Sequence, residues 1–112
     1  MMERVDNVFH GQSNLVYVSM IIRSLRKSMV RKKVLLYLYK IYPQPSYLSE
    51  ISKHIKIDAS NVLGALKGMG KRYKKSKSLM ELGLVEELKI DGFSYYKLSE
   101  KGMRILREVS GI

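Results

Sequence analysis

Apolar residues in the first part of the chain recur every three or four positions, which is the spacing of one helix face. They predict a helix over about residues 14–29 and a second helix over about residues 30–42. Pro43 and Pro45 end the second helix, because proline lacks an amide hydrogen and clashes with the preceding turn. The pattern does not decide whether the two helices are separate or form one continuous rod through Ser28.

The next apolar positions predict a helix-turn-helix unit over residues 46–69. Its first helix covers about residues 46–55 and is capped by either Ser46 or Ser49. After a short turn, Asp58 precedes the second helix, and its carboxylate is expected to accept hydrogen bonds from the free amides of the first turn. Two helices joined in this way, the second with a polar outer face, are typical of DNA-binding proteins. The inward positions of the second helix are Val62, Ala65, Leu66 and Met69.

The outer face of that helix is small and polar, and a cationic segment follows it. No acidic residue occurs between Asp58 and Glu81. Two interpretations are open here: a DNA recognition helix followed by a phosphate-binding loop, or a solvated helix face followed by a flexible basic loop. The outer face comprises Ser60, Asn61, Gly64 and Lys67, and the basic loop over residues 70–78 carries Lys71, Arg72, Lys74, Lys75 and Lys77.

The C-terminal third of the chain predicts a short helical turn, a β-hairpin and a last helix. The turn covers residues 79–83, and the hairpin covers residues 84–98 around Asp91–Gly92, a dipeptide that favours a type I′ turn. The last helix covers residues 99–110, with Ser99 as its cap. The hairpin pairs Ile90 with Phe93, Leu88 with Tyr95 and Glu86 with Lys97, and the inward positions of the last helix are Met103, Leu106 and Val109.

The helix over residues 14–29 carries an apolar stripe with the spacing of a coiled coil over two heptads. One interpretation of the stripe is a homodimer interface, and the other is docking of the helix on the core of its own domain. Neighbouring apolar residues widen the stripe, so the helix has enough apolar surface to contact both a second copy and its own core. Residues 1–13 are predicted to be a tail, so a single domain spans residues 14–112. The stripe consists of Leu15, Val18, Ile22, Leu25 and Met29.

The charge of the chain narrows the choice of partner. Among 112 residues there are 21 Lys and Arg against 10 Asp and Glu, which gives a formal net charge of +11. Such an excess in one small domain indicates a polyanionic partner, either a nucleic acid or an anionic membrane surface. The membrane surface is disfavoured, because the basic residues are not confined to one amphipathic helix.

Residue types that carry catalysis or bind metals are scarce. The chain has no cysteine, which excludes disulfides and thiolate chemistry. His10 and His54 are its two histidines, whereas a metal site needs three or four ligands. We therefore expect no enzyme activity, no metal and no cofactor, and no small-molecule effector can be identified. The lack of a signal peptide and of a membrane-spanning apolar run is expected of a cytoplasmic protein.

Three segments resemble the winged helix-turn-helix regulators of the MarR and ArsR type. Residues 82–87 (LGLVEE) and 98–102 (LSEKG) resemble the wing and its exit. Residues 47–69 (YLSEISKHIKIDASNVLGALKGM) resemble the DNA-contacting helix pair, most closely that of small archaeal regulators. The resemblance covers about residues 30–106. It implies a mainly α, α+β winged-helix fold, to which the helix over residues 14–29 is an extra N-terminal element, with double-stranded DNA as partner and a role in transcription regulation. It also places Ser60, Asn61, Gly64 and Lys67 in the major groove, with the wing around Lys89. The apolar stripe on residues 14–29 adds the expectation of a homodimer.

Two features depart from that family pattern. The connection after the recognition helix, residues 68–78, is lengthened by the basic segment over residues 70–78. The wing tip carries Asp91 and Gly92, with Lys89 as its nearest cation, whereas wings that enter the minor groove usually offer Arg or Lys. Our hypothesis is that the basic segment makes the phosphate contacts that the wing lacks.

Two other functions are compatible with the same fold. The first is a winged-helix module for protein–protein assembly, in which the stripe on residues 14–29 is the functional surface. The second is RNA binding, which the net charge of +11 also permits. If the partner is DNA, Asn61 has the chemistry to contact adenine with two hydrogen bonds and Lys67 that to contact guanine.

Overall fold

The computed structural model describes residue 16 and residues 18–68 and 77–108. Within the described residues, helix α1 covers residue 16 and residues 18–27, and helix α2 covers Met29–Ile41. The remaining elements are β1 (Ser46–Tyr47), α3 (Leu48–Ile55), α4 (Ala59–Lys67), β2 (Val85–Ile90), β3 (Phe93–Leu98) and α5 (Glu100–Glu108). This is a mixed α+β fold, as the sequence predicted. The predicted tail over residues 1–13 lies outside the described residues.

Ser28 separates α1 from α2. Its backbone is extended (φ −139°, ψ 107°), and its hydroxyl accepts a hydrogen bond from the backbone amide of Arg31 at 3.1 Å. This is the usual way in which a serine caps the start of a helix. The Arg31 guanidinium also donates to the carbonyl of Ser24 in α1, at 3.0 Å. The two helices are therefore separate elements tied together at their junction, which settles the question that the sequence pattern left open.

The segment before α3 is a strand, which the sequence analysis did not predict. Ser46 and Tyr47 form β1 and pair with Tyr96 and Tyr95 of β3. Tyr47 holds the N-cap position of α3 without a side-chain cap, so the expected cap by Ser46 or Ser49 is wrong. Ser46 is buried, and its hydroxyl instead donates to the Glu50 carboxylate at 2.5 Å.

The turn between α3 and α4 is tight. Lys56 adopts a left-handed conformation (φ 59°) that ends α3, and the Ser52 hydroxyl donates to the carbonyl of Ile57 at 2.5 Å. Asp58 lies at the N-cap of α4, as predicted. Its carboxylate makes no cap hydrogen bond, so that part of the prediction is wrong, and its backbone carbonyl accepts from the amide of Val62 at 2.9 Å.

The three strands form an antiparallel sheet in the order β1-β3-β2. Asp91 (φ 51°) and Gly92 (φ 83°) both have positive φ, as a type I′ turn requires. This turn fixes the register of the hairpin, and the predicted pairing is confirmed. The pairs are Ile90 with Phe93, Leu88 with Tyr95 and Glu86 with Lys97.

Helix α5 is fastened to the start of the hairpin. The Ser99 hydroxyl accepts from the amide of Gly102 at 2.9 Å and donates to the carbonyl of Gly83 at 2.7 Å, which confirms Ser99 as the cap. A side chain at position 102 would bring its Cβ to 2.5 Å from the carbonyl oxygen of Leu84, so only glycine fits there. Leu106 is buried and Met103 is partly buried, as expected, whereas Val109 lies outside the described residues.

One hydrophobic core joins helices α1 to α5 and the β-hairpin. Helices α1 and α2 and the sheet all contribute buried side chains to it. These are Ile21 and Leu25 from α1, Val34, Leu35 and Leu38 from α2, and Val85, Tyr96 and Leu98 from the sheet. Within α4 the predicted inward positions Val62, Ala65 and Leu66 are buried, and Met69 lies outside the described residues. Helix α4 is thus packed along one side only, which leaves its opposite side to solvent.

Candidate nucleic-acid interface

The solvent side of α4 is formed by short polar residues near its start. Ser60 and Asn61 are exposed, and Gly64 one turn later is half-buried. Within the described part of the chain, neither the Ser60 hydroxyl nor the Asn61 amide has a hydrogen-bond partner. Both groups are therefore available to an external partner. Together with Lys67, these residues form the outer face of α4 that the sequence predicted.

The far end of α4 is held by the chain that returns to it. Gly68 ends the helix with φ 94°, a conformation that favours glycine. After the basic segment, the amides of Leu79 and Met80 donate to the carbonyls of Ala65 and Leu66 at 2.9 and 3.0 Å. These bonds satisfy carbonyls that a helix end leaves unpaired. The described residues on both sides of the basic segment, Gly68 before it and Leu79 and Met80 after it, therefore lie at the end of α4.

Most of the predicted basic loop falls in the part of the chain that the structure does not describe. Lys77 is described and is exposed. The loop residues that lie outside the described residues are Lys71, Arg72, Lys74 and Lys75.

Ser78 and Glu81 fix the return of the chain after the basic segment. The Ser78 amide donates to the Glu81 carboxylate at 2.8 Å, and the Glu81 amide donates to the Ser78 hydroxyl at 3.1 Å. The hydrogen bond from the Ser78 amide is the main reason that the pKa of Glu81 lies below its usual value. This reciprocal pair is a capping box, and its S-x-x-E spacing was present in the sequence although the sequence analysis did not use it.

Lys67 does not extend freely from the outer face of α4. Its Nζ lies 3.1 Å from Oε1 of Glu87 on β2, and this contact raises the pKa of Lys67. The residue predicted to contact guanine is thus paired with a carboxylate of the wing. Sequence reasoning missed this pair, because 20 positions separate the partners along the chain.

Lys89, the predicted wing cation, contacts the same carboxylate. Its Nζ donates to the Ser94 hydroxyl at 2.8 Å and lies 3.6 Å from Oε2 of Glu87. The Ser94 hydroxyl in turn donates to Oε2 of Glu87 at 2.6 Å. The Ser94 hydrogen bond, followed by the Lys67 hydrogen bond, lowers the pKa of Glu87. We refer to Lys67, Glu87, Lys89 and Ser94 as the Glu87 cluster.

The tip of the wing is apolar. Ile90 and Phe93 lie opposite each other beside the turn, and the Phe93 side chain is 69% exposed. Between them, Asp91 and Gly92 are exposed as well. The tip itself therefore offers an apolar contact surface and one negative charge.

The predicted stripe on α1 is divided between core and surface. Leu25 is buried in the core of its own chain, beside Ile21, which was outside the stripe. Val18 and Ile22 are half-buried, and Met29, which begins α2, is 64% exposed. Leu15 lies outside the described residues. The helix thus docks on its own domain and retains an apolar outer side that includes Val16 and Met20.

The ring of His54, the histidine that the structure describes, contacts residues of its own chain. Its ring stacks on Tyr37 with the ring centroids 5.1 Å apart, and its Nδ1 lies 3.0 Å from the carbonyl oxygen of Glu50. No three His, Cys, Asp or Glu side chains come together as a metal site within residues 18–68 and 77–108. In the same residues, every helix is too short or too polar to cross a membrane.

The fold belongs to the winged-helix class, with α3 and α4 as the helix-turn-helix and β2 and β3 as the wing. The solved structure of disulfide-formed AbfR, a winged-helix regulator, superposes with a TM-score of 0.56 over 96% of this chain and 70% of that chain. The two sequences are 16% identical, so the likeness concerns the fold. The present sequence contains no cysteine, so the disulfide of AbfR has no counterpart in it.

The family follows from two closer matches. The EarA-like family matches residues 21–109. An uncharacterized protein of Methanocaldococcus jannaschii, MJ0905, is 56% identical over 87 residues, which cover 78% of each chain. The chain therefore belongs to the EarA-like family. The winged-helix part of the predicted resemblance is confirmed, whereas membership of the MarR or ArsR type is not.

Proposed function

We propose that this protein is a transcriptional regulator that binds double-stranded DNA through the outer face of α4 and the basic segment over residues 70–78. The observation that carries the proposal is that Ser60 and Asn61 are exposed and have no hydrogen-bond partner among the described residues. They lie on a helix whose other side is packed in the core. The likeness to a winged-helix regulator and the net charge of +11 support the same conclusion.

Asn61 and Ser60 supply the base contacts in this proposal. An asparagine amide can both donate to and accept from an adenine edge in the major groove, and a serine hydroxyl can contact several bases. Gly64 adds no base contact, but its lack of a side chain lets the helix approach the groove closely. With so few contacts of this kind, the sequence specificity is modest.

Phosphate contacts supply most of the affinity. Lys77 and the predicted loop cations Lys71, Arg72, Lys74 and Lys75 release counterions from DNA when they contact phosphates. Each such contact lowers the slope of log K against log salt concentration by about 0.9. Five contacts from the basic segment therefore account for a slope of about −4.5.

A homodimer completes the proposal. The apolar outer side of α1, which includes Val16 and Met20, is the surface that a second copy would cover. Two copies related by a twofold axis would place their α4 helices about 34–36 Å apart, one turn of the DNA double helix. The target would then be a palindromic sequence.

The test is a set of binding isotherms on random-sequence duplex DNA at several salt concentrations. The test variant replaces the five cations of the basic segment by alanine. The control variant removes five exposed cations from α1, α2 and α5, so the two variants have the same net charge. The control residues are Arg23, Lys33, Lys40, Arg104 and Arg107.

We expect the test variant to flatten the salt slope by about 4 and the control variant to change it by less than about 1. Equal flattening in both variants would remove the basic segment from the interface. If structured RNA competes better than duplex DNA, the partner is RNA.

The apolar wing tip favours a second candidate function. Exposed Ile90 and Phe93 are better suited to a protein partner than to phosphate. A winged-helix assembly module would bind DNA weakly even at low salt, and both charge variants would then behave like the wild type. That result would replace the DNA-binding proposal by protein–protein assembly.

A further inference from the structure

Glu87 is the acidic group that joins the recognition helix to the wing. Its Oε1 contacts Lys67 at the end of α4 at 3.1 Å. Its Oε2 accepts from Ser94 at 2.6 Å and lies 3.6 Å from Lys89. Both carboxylate oxygens are therefore occupied, and two cations from two different elements share one negative charge.

The carboxylate of Glu87 is less exposed than the two lysines that contact it. The Glu87 side chain is only 16% exposed, whereas Lys67 and Lys89 are 41% and 68% exposed. The carboxylate thus lies beneath the cations, while their ammonium groups reach solvent. The lowered pKa of Glu87 means that the carboxylate is ionised at neutral pH. Phosphate approaching from solvent meets cations that are already partly neutralised.

We propose that Glu87 competes with DNA phosphate for Lys67 and Lys89 and thereby weakens binding to non-specific DNA. The inference rests on the proposed function. In the free protein the two lysines are held by Glu87. Non-specific DNA gains little from them, because each phosphate contact must first displace a carboxylate. A target site gains base contacts from α4 that offset the cost of this displacement, so binding to the target persists.

The chain offers a matched control for Glu87. Glu86 is the preceding residue of β2, is exposed and points to the other face of the sheet. Glu87→Gln and Glu86→Gln therefore remove the same charge from the same strand. A third variant, Glu87→Asp, keeps the charge and withdraws the carboxylate by one methylene, so it separates loss of the contact from loss of charge.

The experiment measures affinity for random-sequence duplex DNA as a function of salt, with thermal unfolding to verify that each variant is folded. Because both lysines are released from their ion pairs with Glu87, we expect Glu87→Gln to bind about 3- to 10-fold more tightly than the wild type. Its salt slope should steepen by about 1 to 2. Glu87→Asp should change affinity in the same direction, and Glu86→Gln should change affinity by less than about twofold.

A double variant identifies the cation that is released. In a Lys67→Ala background, Glu87→Gln should lose most of its effect on affinity.

Two results would overturn the inference. One is an equal gain in DNA affinity from Glu86→Gln and Glu87→Gln, which would show a general charge effect, and the other is wild-type affinity in Glu87→Asp. If Glu87→Gln is unfolded, Glu87→Asp and Lys67→Ala decide the question. Absence of DNA binding by the wild-type protein would instead refute the proposed function.

Discussion

The two ends of α4 differ in how they are held. At its start, Asp58 makes no side-chain cap, and Ser60 and Asn61 face solvent without partners among the described residues. At its end, the amides of Leu79 and Met80 bind its last carbonyls, and Lys67 is paired with Glu87 on the wing. One end is fixed by backbone and ionic contacts, and the other end is left accessible.

This difference suggests that the two ends of α4 have different roles, one in binding and one in anchoring the helix. In helix-turn-helix proteins, the N-terminal residues of the recognition helix contact the base edges. Those residues can be substituted without unfolding the protein only if other contacts hold the helix in place. The buried side and the C-terminal end of α4 supply them here. Stability and DNA contact should therefore respond to different substitutions, and the following predictions test that separation.

The largest effect is expected from the buried side of α4. Leu66 is fully buried, and Leu66→Ala should lower the free energy of unfolding by about 3 kcal/mol, because it removes core contacts and leaves a cavity. Leu63→Ala is the control on the same helix, since Leu63 is exposed, and it should cost less than about 1 kcal/mol. Urea unfolding measures both. Similar losses in the two variants would contradict the one-sided packing of α4.

An intermediate effect is expected at the accessible end, in binding rather than in stability. Asn61→Ala should weaken binding to a selected target sequence by about 1–3 kcal/mol, because two hydrogen bonds to one base are lost. The free energy of unfolding should change by less than about 0.5 kcal/mol. Titration of the target and of a random duplex measures the first quantity. An equal loss on both DNAs would mean that Asn61 makes no base contact.

The smallest effect is expected at the capping box behind the basic segment. Ser78→Ala should lower the free energy of unfolding by about 1 kcal/mol, because it removes a buried capping hydroxyl. DNA affinity should change little if this turn only anchors α4. A loss of affinity larger than the loss of stability would show that the turn also sets the position of the basic segment.

The pH dependence sharpens this last test. The pKa of Glu81 is lowered by the Ser78 amide, so the folded state favours the carboxylate. Its contribution to stability is therefore present above the pKa of the unfolded chain and is lost as the pH falls through the lower pKa of the folded state. The stability difference between wild type and Glu81→Gln should shrink as the pH falls below about 4.5, the usual pKa of a glutamate side chain. A difference that stays constant below that pH would contradict the assignment.

Local features of the fold followed from the sequence, because short-range chemistry determines them. Asp91 and Gly92 fix a two-residue turn, and the turn fixes every pair in the hairpin. The periodicity of Val62, Ala65 and Leu66 gave the inward side of α4 correctly. The N-cap position of Asp58 was also predicted correctly, but the predicted hydrogen bond to its carboxylate is absent, since that bond depends on a rotamer which the residue type does not specify.

Contacts between distant parts of the chain were not predictable in the same way. Strand β1 has two residues, too few for any periodicity, and its partner Tyr96 lies about 50 positions later. The pair of Lys67 with Glu87 likewise depends on how the wing packs beside α4. The residue types of the candidate site could therefore be read from the sequence, whereas the contacts of Glu87 with Lys67 and Lys89 became visible only in three dimensions.

The strand order β1-β3-β2 has a consequence for how copies of the protein behave at high concentration. Strand β2 lies at one edge of the sheet, and open edges can pair with the edge of another molecule and start aggregation. This edge carries Glu86, Glu87 and Lys89, and burying their charges between two sheets would be costly. The charged residues of β2 thus protect the sheet from edge-to-edge association.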